Sequence, residues 1–403
     1  LVGSEMCIRD RYNTLKYGDD MKKDIAILFT NIVAMICIAV MIMNLVPNIT
    51  EEIGLFSQGV ITAFSPQRII CNFTDISNAK EENTEDNNNT ATEVMKSSSS
   101  RITGKDSDLY SNIKETPEDI AKLMTDAEKT IKNEEVKGKT SEEDYFGGGT
   151  LVSFNGVEIQ SKIPESFYKL NIEELLKQKA DLTIQDISQP TILVYHSHTT
   201  ESYTLLDAGY YTESFDLRSD DNDKNMVRVG DELCEYLEKM GFGVIHDTAI
   251  HDENYTGAYA SSRKSIEEYL EKYPSIEITI DVHRDDITYD NNTKVKPTAT
   301  IDGKKAARMM IIAGAEYGRV ENYPDWEYNL KFALAIQNKV SEKYEGLMRP
   351  ILFSERKYNM DETRNSFLLE VGTDANTLDE ACYSARLFAT ALGELLQEEY
   401  AEK

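Results

Sequence analysis

The sequence predicts an α/β fold, with a mostly parallel or mixed sheet and helices on both faces. From about residue 190, short apolar runs alternate with longer segments of helical periodicity, as in βαβ units. Gly241 and Pro274 stand where two of these helices should end. Histidines and acidic residues directly follow several of the apolar runs. Such residues fit the carboxyl ends of strands, where open α/β sheets bind their ligands.

The predicted strands are short runs rich in Ile, Val, Leu and Phe. In chain order they span residues 192–195, 244–245, 276–282, 308–313, 351–353 and 367–369.

The predicted helices carry apolar residues every three or four positions. They span residues 225–240, 261–273 and 325–344. A final helix begins with the capping-box pattern Thr377-x-x-Glu380 and runs to about Glu399.

Four segments are expected along the chain. Residues 1–20 have no initiator methionine and a composition unlike the rest, and we interpret them as an artefactual extension before Met21. Residues 21–47 are a predicted transmembrane anchor, because 25–46 carry no charge and can cross a hydrocarbon core of about 30 Å. Lys22 and Lys23 place its N-terminal end in the cytoplasm and the remainder outside. A cleaved signal peptide is the competing interpretation.

Residues 48–150 are predicted to be a juxtamembrane segment followed by a disordered acidic linker, with some helical character at 108–132. The tract from Asp75 to Thr150 is too polar to offset the entropy of ordering it. Residues 151–403 are the predicted catalytic domain.

Composition argues against nucleic-acid binding and against a disulfide or metal-binding role for the cysteines. A formal charge of −28 and a pI near 4.6 argue against nucleic-acid binding, because a phosphate backbone would be repelled. The five cysteines are scattered, so neither a disulfide framework nor a Cys-x-x-Cys metal site is indicated.

A zinc site is predicted at the carboxyl ends of two strands. His198 and Glu201 stand in His-x-x-Glu spacing just after the first strand, and His283 ends the third. Two imidazoles and a carboxylate can bind Zn²⁺ and leave a fourth position for water. His196 is a rival ligand, and the run Asp220–Asp223 could supply the acid instead, although helix capping also explains that run.

Other polar residues fit supporting roles around this metal. Asp281 or Asp285 could orient the His283 imidazole. Arg284 either steadies oxyanion charge or pairs with an aspartate. Glu370 closes an apolar strand, where it is either the proton-transferring carboxylate or the partner of Arg356 or Arg364.

Five segments together resemble the stage II sporulation protein P family. They lie in order between about residues 185 and 398 and read YHSHTTESY (195–203), NMVRVG (225–230), DVHRD (281–285), PDWEYNL (324–330) and LEVG (369–372). Tyr358-Asn359-Met360 departs from the expected Tyr-Asn-Gln. The resemblance implies His198 and His283 as zinc ligands and Glu370 as the catalytic carboxylate, while the middle ligand is Glu201 or an acid near Asp223.

The family further implies a membrane-anchored zinc N-acetylmuramoyl-L-alanine amidase with possible endopeptidase activity. Such an enzyme would thin septal peptidoglycan during engulfment, outside the cytoplasmic membrane, with stage II sporulation proteins D and M as partners. A stem-peptide endopeptidase or carboxypeptidase is one alternative. An inactive cell-wall-binding scaffold is another.

Overall fold

The computed structural model describes residues 110–213, 215 and 217–402, which form a mixed α/β arrangement. The helices are α1 Glu118–Thr130, α2 Ile172–Leu176, α3 Met226–Lys239, α4 Ala258–Lys272, α5 Trp326–Lys343 and α6 Leu378–Leu395. The strands are β1 Val136–Ser141, β2 Thr150–Phe154, β3 Val157–Ser161, β4 Pro190–Tyr195, β5 Tyr210–Thr212, β6 Gly243–His246, β7 Ile278–Asp285, β8 Thr293–Val295, β9 Thr298–Ile301, β10 Lys304–Ala307, β11 Met309–Gly314, β12 Ile351–Ser354 and β13 Asn365–Thr373.

The main sheet has eight strands in the order β2-β3-β12-β11-β13-β7-β4-β6. Most neighbours are parallel, but β2 pairs antiparallel with β3, and β11 pairs antiparallel with β13. The prediction of a mostly parallel or mixed sheet is therefore confirmed. Two small sheets, β5-β1-β8 and β10-β9, lie outside it.

The two faces of the main sheet are covered differently. Alternate residues of the central strands, such as Ile280 and Leu369, join the large apolar core with residues of α3, α5 and α6. The intervening residues face the other side, where Leu193 and Tyr195 of β4 pack with Ile266 of α4. Because side chains alternate along a strand, each central strand serves both faces. This second side is called the α4 face below.

The predicted helix boundaries agree closely with the structure. Asn225 caps α3 through a hydrogen bond from the Val227 N–H, and Gly241 follows the helix with a φ of 93°. Thr377 and Glu380 form the complete capping box of α6. Helix α4 begins three residues earlier than its periodicity predicts, directly after a short 3₁₀ turn at Tyr255–Gly257.

The prediction of a disordered linker up to residue 150 is wrong for residues 110–150. Helix α1 and strand β1 lie in this stretch, and Ile113 and Ile120 are buried in the large core. Long-range polar contacts hold it as well, including the Arg228–Asp119 ion pair. The folded part of the chain therefore begins well before residue 150.

The predicted artefactual extension, transmembrane anchor and juxtamembrane segment lie outside the described residues. Among the residues that the structure does describe, no helix is both long and apolar enough to cross a membrane.

Candidate active site

Residues of two parallel strands meet on the α4 face. Glu370 of β13 lies in register with His283 of β7, and Leu368 lies in register with Asp281. His283 and Glu370 are almost completely buried, with exposed fractions of 0% and 2%. The pleat that sends Val282 and Leu369 into the large core therefore turns His283 and Glu370 toward α4.

The His283 ring is fixed by Asp281. Its Nε2 lies 2.8 Å from Asp281 Oδ1, which also accepts a 2.9 Å hydrogen bond from the Ser197 backbone N–H. The other carboxylate oxygen accepts from the Ser197 hydroxyl at 2.7 Å. Of the two predicted orienting partners, Asp281 is thus the one that contacts His283. Asp285 instead accepts a hydrogen bond from Arg349 at 3.1 Å.

The free nitrogen of His283 faces Glu201. Nδ1 lies 3.6 Å from Glu201 Oε2, beyond hydrogen-bond length, and it has no hydrogen-bond partner. The same carboxylate oxygen accepts a 3.3 Å hydrogen bond from the Arg284 backbone N–H. The turn after β4 therefore brings Glu201 onto the end of β7, as the sequence predicts.

His198 completes the cluster. Its ring lies edge-on to that of His283, with 5.3 Å between ring centroids. Neither ring nitrogen has a hydrogen-bond partner, although the ring is only 1% exposed. Tyr255 stacks on the ring at 4.5 Å, and Asp252 Oδ2 lies 4.0 Å from Nδ1.

Burial and neighbouring charges have opposing effects on the pKa values of the ionisable groups in this cluster. Burial lowers the pKa of His198 to about 4, so its imidazole is neutral at pH 7. Burial also opposes a charge on His283, but the carboxylates of Asp281 and Glu201 raise its pKa well above the usual value. Burial by itself raises the pKa of Glu201. Arg284, His283 and His198 outweigh this effect and together hold the pKa well below the usual range. Glu201 is therefore a carboxylate at neutral pH.

The donor set fits zinc in chemical type. Two imidazoles and one carboxylate are common zinc ligands, and buried ring nitrogens without hydrogen-bond partners need some other partner. Within the described part of the chain, however, no three His, Cys, Asp or Glu side chains are already placed to hold a metal ion. Zinc binding would therefore require at least one of these side chains to move.

The rival ligands lie elsewhere. His196 Nδ1 lies 3.0 Å from the carbonyl oxygen of Val282, and its Nε2 lies 2.9 Å from His246 Nε2, so both of its nitrogens are occupied. Asp223 is exposed, and Asn225 caps α3. The structure thus brings together His198, Glu201 and His283, while the ring nitrogens of His196 are used in other contacts and the Asp223 side chain is exposed.

Arg284 is turned toward the protein. Its Nε and Nη2 donate to the carbonyl oxygens of Ser202 at 3.0 Å and Leu217 at 2.7 Å. Nη1 lies 4.0 Å from Glu201 Oε1. These contacts hold the Glu201 turn in place, and a role for Arg284 on developing oxyanion charge stays a prediction. Arg364, a suggested partner of Glu370, pairs with Asp181 and Asp325.

Several site residues were not predicted from the sequence. Asp252, near His198, accepts hydrogen bonds from the backbone N–H and the hydroxyl of Thr200. Tyr255 and Tyr259 flank His198, and Tyr358 stacks on Tyr259 at 4.8 Å. The four-residue spacing of Tyr255 and Tyr259 at a helix start could have indicated a shared face. Burial, with the charges around it, raises the pKa of Tyr259 well above 10.

A comparison with known protein families identifies the family of this chain. The model of the stage II sporulation protein P family matches residues 63–393. Stage II sporulation protein P of Bacillus subtilis (strain 168) is 29% identical over an alignment of 256 residues, and the match covers 58% of this chain and 60% of that protein. The match therefore spans about three fifths of the relative's length.

Similarity to solved structures is low. An N-acetylmuramoyl-L-alanine amidase of Nostoc punctiforme is 11% identical with a TM-score of 0.31, covering 52% of this chain and 98% of that one. One from Clostridium difficile 630 is 12% identical with a TM-score of 0.30, covering 53% and 99%. Similarity at these TM-scores supports no conclusion about fold or function. The family match, in contrast, covers well over half of the chain, and the protein belongs to the stage II sporulation protein P family.

Proposed function

We propose that the protein is a membrane-anchored, zinc-dependent peptidoglycan hydrolase. Its reaction would be that of an N-acetylmuramoyl-L-alanine amidase, which cuts the amide between the lactyl group of the glycan and the L-alanine of the stem peptide. Family membership supports a role in sporulation, and the chemistry of the buried cluster supports hydrolysis.

One observation carries this proposal. His198 and His283 are buried side by side, with three of their four ring nitrogens lacking hydrogen-bond partners, and the Glu201 carboxylate faces one of the three. Leaving buried polar groups unpaired is costly, so proteins keep such groups mostly where a ligand will use them. A cation that accepts nitrogen and oxygen donors would bind Nδ1 of His283, one ring nitrogen of His198 and the Glu201 carboxylate.

His198, Glu201 and His283 would hold the zinc ion, and neighbouring residues would orient these ligands. When bound, zinc would act as a Lewis acid toward the amide carbonyl and the attacking water. Asp281 accepts the Nε2–H of His283, so zinc would bind at Nδ1 and displace the proton that Asp281 and Glu201 favour there in the metal-free chain. The Arg284 backbone N–H holds the Glu201 carboxylate.

Glu370 would transfer the proton. Its place beside His283 in the parallel ladder puts a buried carboxylate next to the proposed metal donors. It would accept a proton from the attacking water and deliver that proton to the departing amine of L-alanine. Water thus supplies the hydroxyl of the new carboxylic acid, and the amide C–N bond breaks.

The anchor and the polar tract before residue 110 would set the location of this activity. A single N-terminal span, residues 25–46, would hold the folded part outside the cytoplasmic membrane, in the intermembrane space of the sporulating cell. The substrate would be septal peptidoglycan during engulfment. Stage II sporulation proteins D and M are the proposed partners.

Digestion of purified peptidoglycan by the full-length chain tests this function. We expect glycan strands without stem peptides and complete stem peptides that carry a free L-alanine amine, identified by mass spectrometry. A chelator should stop their release, and added Zn²⁺ should restore it. The Glu370→Gln variant serves as the inactive control.

The products also separate the alternatives. Shortened stem peptides that remain attached to glycan would point to an endopeptidase or carboxypeptidase. Binding to sacculi without release of any fragment, with or without zinc, would instead point to a scaffold. Either result would overturn the amidase proposal.

A further inference from the structure

Tyr259 has a buried hydroxyl without a hydrogen-bond partner. The residue lies in the first turn of α4, at the edge of the zinc-donor cluster. Its ring is nearly parallel to that of His283, with centroids 6.3 Å apart and an interplanar angle of 9°. Its centroid is 5.4 Å from that of His198, and the two rings are almost perpendicular. The phenol therefore borders both imidazoles.

The charged groups around this phenol are those of the site. The carboxylates of Asp281, Glu370 and Glu201 all act on it electrostatically. Each of these acids belongs to the cluster or to its support, and the Tyr259 ring borders both imidazoles of that cluster. An ordinary phenol carries its proton at neutral pH and can donate one hydrogen bond.

The neighbouring loop residues Tyr358 and Asn359 fix the position of Tyr259. Its carbonyl oxygen accepts a 3.0 Å hydrogen bond from Asn359 Nδ2, which also donates to the Ser262 hydroxyl at 3.1 Å. Tyr358 stacks on its ring. Tyr358 and Asn359 have φ values of 43° and 58°, a conformation that bulky residues adopt only when their surroundings enforce it. The local structure thus holds the ring while its hydroxyl stays unpaired.

A rigid donor that is left unpaired in a buried site suits a group that appears only during the reaction. We propose that Tyr259 is a catalytic residue, whose hydroxyl donates a hydrogen bond to the carbonyl oxygen of the scissile amide as negative charge develops there. This inference rests on the proposed hydrolase function. Tyr259 keeps its proton throughout, and the proton from water travels by way of Glu370 to the leaving amine.

The Tyr259→Phe variant of the full-length, zinc-loaded chain tests this role. Tyr195→Phe is a matched control, because Tyr195 lies on the same sheet face and also has a buried hydroxyl without a hydrogen-bond partner, but its ring packs in the apolar cluster of Leu193 and Ile266. We expect Tyr259→Phe to lower kcat about 100-fold, as removal of one oxyanion donor does, with KM changed less than about threefold. Tyr195→Phe should keep the wild-type kcat.

Two further measurements separate catalysis from structure. Zinc content and the thermal midpoint of the metal-free chain should match those of the wild type in both variants, because neither hydroxyl makes a hydrogen bond in the folded protein. A lower midpoint or zinc content in Tyr259→Phe would show a structural hydroxyl and overturn the inference. An active wild type with an equally active Tyr259→Phe variant would overturn the inference alone. A wild type that releases no stem peptide would overturn the proposed function and this inference together.

Discussion

The two faces of the main sheet differ in what the same strands give them. Toward α3, α5 and α6 the central strands present apolar side chains: Ile192, Val194, Ile278, Ile280, Val282, Phe367, Leu369 and Val371. Toward α4, the same strands β7 and β13 present Asp281, His283 and Glu370 near their carboxyl ends. Along one strand, a side chain that packs in the core is therefore followed by one that faces the site. We expect neighbouring substitutions to separate stability from activity.

The largest effect is expected from Glu370→Gln. It keeps the size and the burial of the side chain but removes the proton acceptor, so kcat for peptidoglycan cleavage should fall about 10³-fold. The thermal midpoint should change little. Kinetics on purified peptidoglycan, with calorimetry on the same preparation, check both parts. Near-normal cleavage by this variant would remove Glu370 from the proposed mechanism.

Leu369→Ala, one residue away, should do the reverse. Leu369 is 1% exposed in the large core, so the substitution removes buried apolar volume and should cost about 2–5 kcal/mol of unfolding free energy. At a temperature where the variant is still folded, its zinc content and kcat should be close to wild type. Urea denaturation and zinc analysis measure the two effects. Loss of zinc from a folded Leu369→Ala protein would show that the two faces are not independent.

Asp281→Asn should weaken zinc binding by about 10–100-fold, because the orienting carboxylate of His283 is lost. Asp285→Asn is the matched control. Asp285 lies on the same strand face but pairs with Arg349, so its loss should lower stability without a comparable loss of zinc affinity. Competition titrations with a zinc-binding dye compare the variants. Equal zinc affinities for the two would argue against the orienting role of Asp281.

The smallest effect is expected from His196→Gln. His196 contacts the Val282 carbonyl oxygen and His246, and it lies outside the cluster of unpaired nitrogens. Its loss should cost about 1 kcal/mol of stability and leave zinc stoichiometry unchanged. His198→Gln, two residues along the chain, should lose zinc. Metal analysis after dialysis distinguishes the two variants. Loss of zinc from His196→Gln, with zinc retained by His198→Gln, would show that His196 is the ligand.

Much of the fold was predictable because its signals are local. From residue 190 onward, the main-sheet strands and the helices follow from apolar periodicity, the Gly241 stop and the Thr377–Glu380 capping box. The short strands β5, β8, β9 and β10, which lie in the two small sheets, were not predicted. The order within residues 110–150 was not predictable, because a polar segment is held there by Ile113 and Ile120 and by ion pairs with residues more than 100 positions away. Composition alone does not show such contacts.

The site was predictable only for the histidines and acidic residues that lie at or just after the end of a predicted strand. The sequence indicated His198, Glu201, His283 and Glu370, and the structure places Glu201, His283 and His198 together and Glu370 beside His283. The choice of Asp281 over Asp285 depends on hydrogen-bond geometry that spacing does not fix. The tyrosines of α4 and of the loop at residue 358 come from distant segments, which only tertiary packing brings to the imidazoles.

The central claim is that His198, Glu201 and His283 bind one zinc ion. Anomalous diffraction at the zinc edge, from crystals of the zinc-loaded protein, tests it most directly. We predict a single strong peak, about 2.0–2.2 Å from a ring nitrogen of His198, from Nδ1 of His283 and from a carboxylate oxygen of Glu201. A peak at another group of residues, or an intact cluster without zinc, would contradict it.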